Sequence, residues 1–305
     1  MSTTVTTAQD PASAPLASLA AMPAKTRSAR PTAWMRIRRN RYASVGLAIV
    51  AGMVLIAMFA PMLATGDPIQ MSMPNQFQPP SRTHLFGTDE FGRDVFSRTL
   101  FGARISLRVG LLATLLAIGV GTAIGLIAGY IGSWVDLGIQ MVIDVMLAFP
   151  GLILALSVIA ILGTGLQNVL IALSVGGIPF YARLVRGQVL SLREMEFVEA
   201  ARVSGASTTR VLVRHLLPST LSPLIVFGSL DLAGNILAAA GLSFLGLGAQ
   251  PPTPEWGAML ASGREFLRDE WWIATFPGIA IAITVLGFNL LGDGLRDVFD
   301  PRQTA

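Results

Sequence analysis

The chain contains no cysteine among its 305 residues. Disulfide bonds, iron–sulfur clusters and thiolate chemistry are therefore excluded. Histidine is almost as scarce, since only His84 and His215 occur and they lie far apart in the sequence. Two such distant histidines do not form a recognisable set of metal ligands, so we expect no metal site.

Charged residues are also few. They make up 13% of the chain, whereas soluble domains usually carry about 25%. Hydrophobic residues account for 52% of the sequence, and the mean hydropathy is +0.62. This composition indicates that lipid surrounds much of the chain. The net charge is +4, but the basic residues flank apolar runs instead of forming an aromatic-rich patch. We therefore expect no nucleic-acid partner.

Lysine occurs once, at Lys25, within the sequence Pro-Ala-Lys-Thr. A phosphate-binding Walker A loop needs a lysine that follows a glycine-rich turn, so this chain is not expected to hydrolyse ATP. Neither histidine falls within an apolar run, which argues against a nucleophile and base pair inside the membrane. The sequence therefore predicts no enzyme activity and no cofactor in this chain.

Six apolar runs are candidates for membrane-spanning helices. A helix needs about 20 residues to cross about 30 Å of hydrocarbon. Each spanning segment must be helical, because lipid offers no hydrogen-bond partners to the backbone. The fourth run is the weakest, because it is short and contains Gly176, Gly177 and Pro179. We also expect Pro150, Pro179 and Pro277 to kink their spans. The six predicted spans are residues 44–64, 109–130, 137–162, 168–185, 220–247 and 272–291.

Lysine and arginine are unevenly distributed between the two sides of these spans. Fifteen of them lie in segments on the side of the N-terminus and seven on the other side. The positive-inside rule therefore predicts that both termini are cytoplasmic. Residues 1–33 show the composition of a disordered tail, and an arginine cluster precedes the first apolar run, which predicts a retained anchor and no cleaved signal peptide.

The predicted organisation has four parts. Turn sequences at 87–89 and 92–94 indicate that the outer loop is ordered. The fold class is an all-α membrane protein with six transmembrane helices, two short cytoplasmic helices and this ordered outer loop. The parts are a cytoplasmic tail over 1–43, the first span and outer loop over 44–104, a five-helix core over 105–295 that includes a cytoplasmic connection over 187–218, and a C-terminal tail over 296–305.

The connection 187–218 carries the most informative pattern. Apolar residues recur at helical spacing up to Ala201, and Gly205 is placed to end a helix in the left-handed conformation. Ser207 is suited to cap a second short helix, and Pro218 is expected to break the chain before the fifth span. These residues alone leave open a plain solvated connector.

The same connection resembles the EAA loop of permease subunits from binding-protein-dependent ABC importers. The pattern is Glu199-Ala200-Ala201, three residues, Gly205, nine residues, and then His215-Leu-Leu-Pro218. His215 stands where isoleucine is usual in that family. Segments 84–98 and 241–257 further resemble the second, C-type permease of the dipeptide, oligopeptide and nickel subfamily. The resemblance implies that the coupling positions are Glu199, Ala200, Ala201, Gly205 and Pro218.

The resemblance also implies the partners of the chain. These are a homologous second permease subunit, two ATPase subunits that bind ATP and Mg, an extracytoplasmic substrate-binding protein, and the lipid of a bacterial inner membrane. Peptides are the expected cargo, with nickel complexes, glutathione or another small solute as alternatives. A stand-alone secondary transporter is a more distant alternative.

Three polar residues lie within the predicted spans and are candidates for the translocation pathway. Asp144 and Asp231 place ionisable groups in apolar runs, where they are costly and indicate function. Asn235 follows Asp231 by one helical turn and shares its face. Structural hydrogen bonding between helices is the alternative.

Overall fold

The computed structural model describes residues 40–299, and its regular structure is helical. Within this range there is no β-strand, only an isolated bridge between Thr88 and Asp94. The predicted disordered tail and the end of the predicted C-terminal tail lie outside the described residues. The α-helices are α1 Arg41–Leu63, α2 Val95–Ile131, α3 Ser133–Leu147, α4 Gly151–Leu162, α5 Leu166–Leu192, α6 Glu196–Val203, α7 Thr208–Val211, α8 Leu217–Phe244, α9 Trp256–Gly263 and α10 Trp272–Phe299.

Within residues 40–299, five stretches of helix are long and apolar enough to cross a membrane: α1, α2, α5, α7 to α8 as one stretch, and α10. Helices α3 and α4 meet at an angle of 94° and together satisfy the same test. The prediction of an all-α multi-span fold is therefore confirmed. The predicted number of six spans is reached when the bent pair is taken as one crossing.

The bent pair differs from the single predicted span over 137–162. Helix α3 ends at Leu147, and α4 begins at Gly151 with Pro150 as its N-terminal flanking residue. Proline has no backbone N–H to donate to the preceding turn, so it begins a new helix more readily than it continues one. Pro179 and Pro277 instead lie inside the continuous helices α5 and α10.

Helix α2 begins at Val95, well before the predicted start of the second span at residue 109. The Asp94 carboxylate accepts a hydrogen bond from the Ser97 backbone N–H at 2.8 Å and caps the first turn. Three arginines in the first turns hide this part of the helix from a hydropathy window, although Arg98 itself is buried. The outer loop therefore ends at Asp94, ten residues earlier than predicted.

Close packing of α2 against α5 depends on glycines spaced four residues apart. A Cβ atom added at Gly121 would lie 2.7 Å from the carbonyl oxygen of Ile178, and one at Gly125 would lie 2.5 Å from that of Ala182. Gly129 repeats the approach one turn later, against Val189. In lipid, helices associate through such close backbone contact, because burying apolar side chains brings little gain there.

The outer loop is ordered, as predicted, and it folds onto the ends of three helices. The indole Nε1 of Trp272 donates a hydrogen bond to the Thr88 carbonyl at 3.0 Å, and Phe86 stacks on Phe276 with ring centroids 3.8 Å apart. The fully buried Trp256 donates to the Thr99 carbonyl at 2.9 Å. Residues 65–94 and 248–271, which include α9, form the outer cap, and these contacts hold it against the first turns of α2 and α10.

Buried charges lie at the centre of the outer cap. The carboxylate of Asp89 accepts from Arg93 Nε at 2.7 Å and lies 3.4 Å from Arg98 Nε. Arg98 also donates to the carbonyls of Pro68 and Pro252, at 2.9 and 3.3 Å. One aspartate therefore neutralises two buried guanidinium groups and helps to connect the first outer segment with the second.

Glu90, next to this centre, gives a pH-dependent prediction. Burial of the carboxyl raises its pKa above the usual value of 4.5, and the negative charge of Asp89 adds to the effect. The pKa of Glu90 is higher in the folded protein than in the unfolded chain. Ionisation of Glu90 therefore does not lower the free energy of unfolding at pH values below about 4.5, and it lowers this free energy as the pH rises through the raised pKa. We expect Glu90→Gln to raise the melting temperature at pH 8, with the gain disappearing as the pH approaches 4.

The measurement is the melting temperature of the purified protein in detergent across this pH range. Glu265→Gln is the matched control, because the Glu265 side chain is mostly exposed. If Glu90→Gln raises the melting temperature equally at every pH, the raised pKa of Glu90 is contradicted.

Candidate functional site: the connection 187–218 and the polar residues of the spans

The helix α6 is closed at its C-terminus by Gly205, as the sequence predicts. Gly205 has φ +79°, a left-handed conformation that glycine adopts without strain. Its N–H bonds to the Arg202 carbonyl at 2.9 Å, and the Ala206 N–H bonds to the Ala201 carbonyl at 3.0 Å. This pair of hydrogen bonds is a Schellman motif, which stops the helix and sets the direction of the chain that follows.

One face of α6 is fixed to the membrane helices. The Val198 side chain is fully buried in a cluster that includes Val185 and Val189 of α5 and Val211 and Leu216 near α8. These residues come from helices on both sides of α6 in the sequence. A displacement of α6 therefore acts directly on the spans on either side of it.

Two further contacts join this region to the C-terminal end of α2. The Arg202 guanidinium lies over the Tyr130 ring, 5.0 Å from its centroid. Arg193 donates to the Gly129 carbonyl at 3.0 Å. Helix α6 is thus placed where α2, α5 and α8 meet.

The opposite face of α6 is exposed. Glu199 and Ala200 lie on it, and Val203 is 82% exposed, an unusual degree for a branched apolar side chain. The Glu199 carboxylate forms no salt bridge within residues 40–299. Ala201, which the sequence grouped with Ala200, is instead half-buried and packs against the Val198 cluster. The two alanines therefore have different surroundings.

The predicted break at Pro218 is wrong. Ser207 stands at the N-terminal cap position of α7 without a side-chain capping bond, and α7 continues through a π-helical turn, Leu212–Leu216, into α8. Pro218 lies in the first turn of α8, where a missing N–H costs little. The second predicted short helix is thus the start of a long membrane helix, and a π turn joins the two.

Asp231 and Asn235 form part of a polar network between three helices. Asn235 Nδ2 donates to the Asp231 carboxylate at 3.1 Å, which agrees with their predicted common face. Tyr181 donates its hydroxyl to the same carboxylate at 3.0 Å, and Asn235 also donates to the Thr114 hydroxyl at 2.9 Å. Because α2, α5 and α8 each contribute, the network ties these helices together.

Asp144 lies elsewhere and has a different partner. Its carboxylate pairs with the Arg183 guanidinium of α5. Residues two apart on a helix point in nearly opposite directions, so Arg183 and the buried Tyr181 occupy different faces of α5. The structure therefore separates Asp144 from the Asp231 network.

No pattern in the sequence predicts these partners. Tyr181 and Thr114 are 50 and 121 residues from the residues they contact, and Arg183 is 39 residues from Asp144. Hydropathy places Arg183 near the end of the predicted fourth span, where it contributes to the difference in charge between the two sides of the spans. Only the packing of α3 beside α5 brings it to a carboxylate.

Comparisons with known proteins identify the family of this architecture. Residues 121–305 match the family described as binding-protein-dependent transport system inner membrane component. Residues 31–80 match the N-terminal transmembrane domain of oligopeptide transport permease C. The chain belongs to the dipeptide and oligopeptide family of ABC importer permeases. The resemblance based on the EAA pattern and the outer segments is thereby confirmed.

Individual members of this permease family are similar over most of their length. The dipeptide transport system permease protein DppC of Alkalihalophilus pseudofirmus is 48% identical over 271 residues, 89% of each chain. The glutathione transport system permease protein GsiD of Shigella flexneri serotype 5b is 50% identical over 270 residues, 88% of this chain and 89% of that protein.

The fold of the permease is also found in a solved structure. A chain from inward-facing conformations of the MetNI methionine ABC transporter superposes with a TM-score of 0.51 and 20% sequence identity. The superposition covers 67% of this permease and 97% of the transporter chain. At this identity the likeness concerns the fold.

Proposed function

We propose that this permease imports di- and oligopeptides, with a homologous second permease subunit contributing the other half of the translocation pathway. Its similarity to a dipeptide permease over 89% of both chains supports peptide cargo. Membership in an ABC importer family argues against the alternative of a secondary transporter that works alone.

The observation that carries this proposal is the two-faced helix α6. Its exposed face, with Glu199, Ala200 and Val203, is available to an ATPase subunit, while Val198 fixes its other face to the spans. ATP and Mg bind to the two ATPase subunits. Their closure moves α6, and the packing around Val198 passes the movement to α5 and α8. A partner drives such a change only by binding the two states of the permease with different affinity.

The other predicted coupling positions act in different ways within this proposal. Gly205 sets the direction in which the chain continues after α6. Because Ala201 is small, α6 can pack closely against the cluster around Val198. Pro218 contributes to the stiffness of the first turn of α8. We assign Asp231 and Asn235 to the interhelical network, where they hold α2, α5 and α8 in register.

The orientation in the membrane follows from the excess of cations on the side of α6. Both termini and α6 lie in the cytoplasm of a bacterial cell, and the permease spans its inner membrane. The outer cap then faces the extracytoplasmic side, where the substrate-binding protein delivers cargo.

Glutathione is the second candidate cargo. It is favoured by the 50% identity to a glutathione permease over 88% of this chain. Both cargoes carry a free ammonium group and at least one carboxylate, so competition between them is a direct way to separate the two.

The test is purification through a C-terminal tag, followed by reconstitution. We expect a second multi-span protein and ATPase subunits to copurify in stoichiometric amounts. With its binding protein and ATP, the complex should accumulate labelled dialanine in liposomes, and excess glutathione should compete poorly. Strong competition by glutathione favours the second candidate. Recovery of this chain alone, with ATP-independent transport, would refute the proposal.

A further inference from the structure

The break between α3 and α4 lies beside the middle of α5. A Cβ atom at Gly176 would be 4.0 Å from the carbonyl oxygen of Gly151, the first residue of α4. Gly176 is ten residues, about 15 Å, from the first residue of the 27-residue helix α5. Since α5 is long enough to cross the membrane, the break lies near the depth of the bilayer centre.

The residues around this break are exposed in the described part of the chain. Residues 147–153 are all exposed, and no side chain caps the start of α4. Non-helical backbone at this depth is found only where it contacts protein or water, because lipid leaves its polar groups unpaired. This surface of the permease therefore does not face lipid.

The Asp144–Arg183 pair belongs to the same surface. Arg183 follows Gly176 by seven residues, about 10 Å along α5 towards α6. The Asp144 and Arg183 side chains are 65% and 50% exposed. Opposite charges exposed at membrane depth are costly in lipid and characteristic of pathways for polar solutes.

A neighbouring ion pair serves as a comparison. Arg186 of α5 binds Asp136 of α3 with two hydrogen bonds, at 2.5 and 2.7 Å. Their side chains are only 27% and 17% exposed. This enclosed, bidentate pair suffices to hold α3 against α5. The exposed Asp144–Arg183 pair, one turn of α5 away, is free to exchange partners.

We infer that Asp144 and Arg183 form a cargo-contact site for zwitterionic peptides, in which Asp144 binds the ammonium group and Arg183 binds the terminal carboxylate. The inference rests on the proposed function for the nature of the cargo. A dipeptide replaces one ion pair by two, so each protein charge stays paired while cargo is bound. A blocked peptide without charged ends gives no such replacement.

The absence of native cysteine from this chain allows a direct test. Met141 precedes Asp144 by one turn and is 65% exposed, so Met141→Cys places a thiol on the same face. The complete transporter complex in nanodiscs, without binding protein and with native cysteines of the other subunits replaced, is treated with a charged, water-soluble thiol reagent. Leu55→Cys is the control, since Leu55 is an exposed apolar residue in the middle of α1.

We expect Met141→Cys to react at least about tenfold faster than Leu55→Cys, and dialanine to slow its labelling several-fold. N-acetyl-dialanine amide should not slow it. Asp144→Asn and Arg183→Gln should each remove the protection by dialanine, and Asp136→Asn should retain it. Recovery of the complex in normal yield shows that each variant folds.

Three outcomes would overturn the inference. They are equal labelling of the two cysteines, equal effects of dialanine and the blocked peptide, or protection that survives Asp144→Asn. Failure of the proposed function has a different signature, because the unsubstituted complex would then fail to accumulate dialanine with ATP whether or not the site protects position 141.

Discussion

Replacing Gly205 with proline is expected to reduce ATP-driven uptake by about tenfold or more while the permease remains in the membrane. Gly205 has φ +79°, whereas proline holds φ near −65° and removes the N–H that bonds to Arg202. Apart from the two chain neighbours, no atom of residues 40–299 lies within 4 Å of a Cβ built at this position, so the effect comes from the backbone and not from a clash. The chain after α6 would continue in a different direction, and α6 would no longer fit the ATPase subunit.

The measurement is uptake and ATP hydrolysis by the reconstituted complex, compared for the same preparation. Gly163→Pro is a matched control. Gly163 has φ +87°, open space around its Cβ position and an N–H bonded to the Ile159 carbonyl. It lies just before the first residue of α5, whereas Gly205 follows the other end of that helix. We expect both variants to lose similar stability and only Gly205→Pro to uncouple hydrolysis from uptake. Equal loss of uptake in the two variants would contradict a coupling role.

The charge of Glu199 is tested by Glu199→Lys, which leaves the backbone of α6 unchanged. Because its carboxylate has no salt-bridge partner within residues 40–299, the substitution should leave the melting temperature of the isolated permease almost unaltered. Uptake by the complex should fall, since the reversed charge meets the ATPase subunit. Normal uptake would remove Glu199 from the docking surface.

The second large effect is expected in the outer cap. Asp89→Ala should lower the free energy of unfolding by about 3–5 kcal/mol, because it leaves buried Arg98 without its carboxylate partner and buried Arg93 with Glu90, 3.3 Å away, as its remaining one. The Asp89 carboxylate also accepts from the backbone N–H groups of Phe91 and Arg93, at 3.0 and 2.9 Å. The variant would therefore lose the turn as well as the ion pairs.

The loss is measured by thermal unfolding of the purified permease in detergent and by protease sensitivity of the outer cap. Asp89→Asn should cost less, because the amide oxygen still accepts the two backbone hydrogen bonds. Asp67→Ala is the matched control in the same loop, since Asp67 is exposed and only makes a local bond to the Ile69 N–H. If Asp89→Ala and Asp67→Ala unfold alike, the buried charges do not hold the cap.

The sequence was informative wherever a local rule decides the structure. Apolar length and the absence of hydrogen-bond partners in lipid predicted long helices, and these are present. Gly205 adopts the predicted left-handed conformation, since that preference depends on glycine having no Cβ. Asp231 and Asn235 touch as predicted, because residues four apart on a helix share a face.

The local rules failed where distant contacts compete with them. Three arginines concealed the start of α2, yet Arg98 is tolerated there because Asp89 and two carbonyl oxygens satisfy it. Pro218 resembled a break, but it lies in a first turn, where no N–H is required. Pro150 predicted a kink, but no local rule predicted the angle of 94° between α3 and α4.

By itself, then, the sequence determined the helical class, the approximate places of the membrane helices and the position of the helix that carries the EAA pattern. These depend on hydropathy, glycine conformation and spacing along one chain. The tertiary structure alone decided that Asp144 pairs with Arg183 on an exposed surface, while Asp231 is enclosed by Tyr181, Asn235 and Thr114. The free-energy cost of a charge in a membrane protein depends on which groups surround it in space. Spacing along the chain does not predict most of these groups, because they come from distant helices.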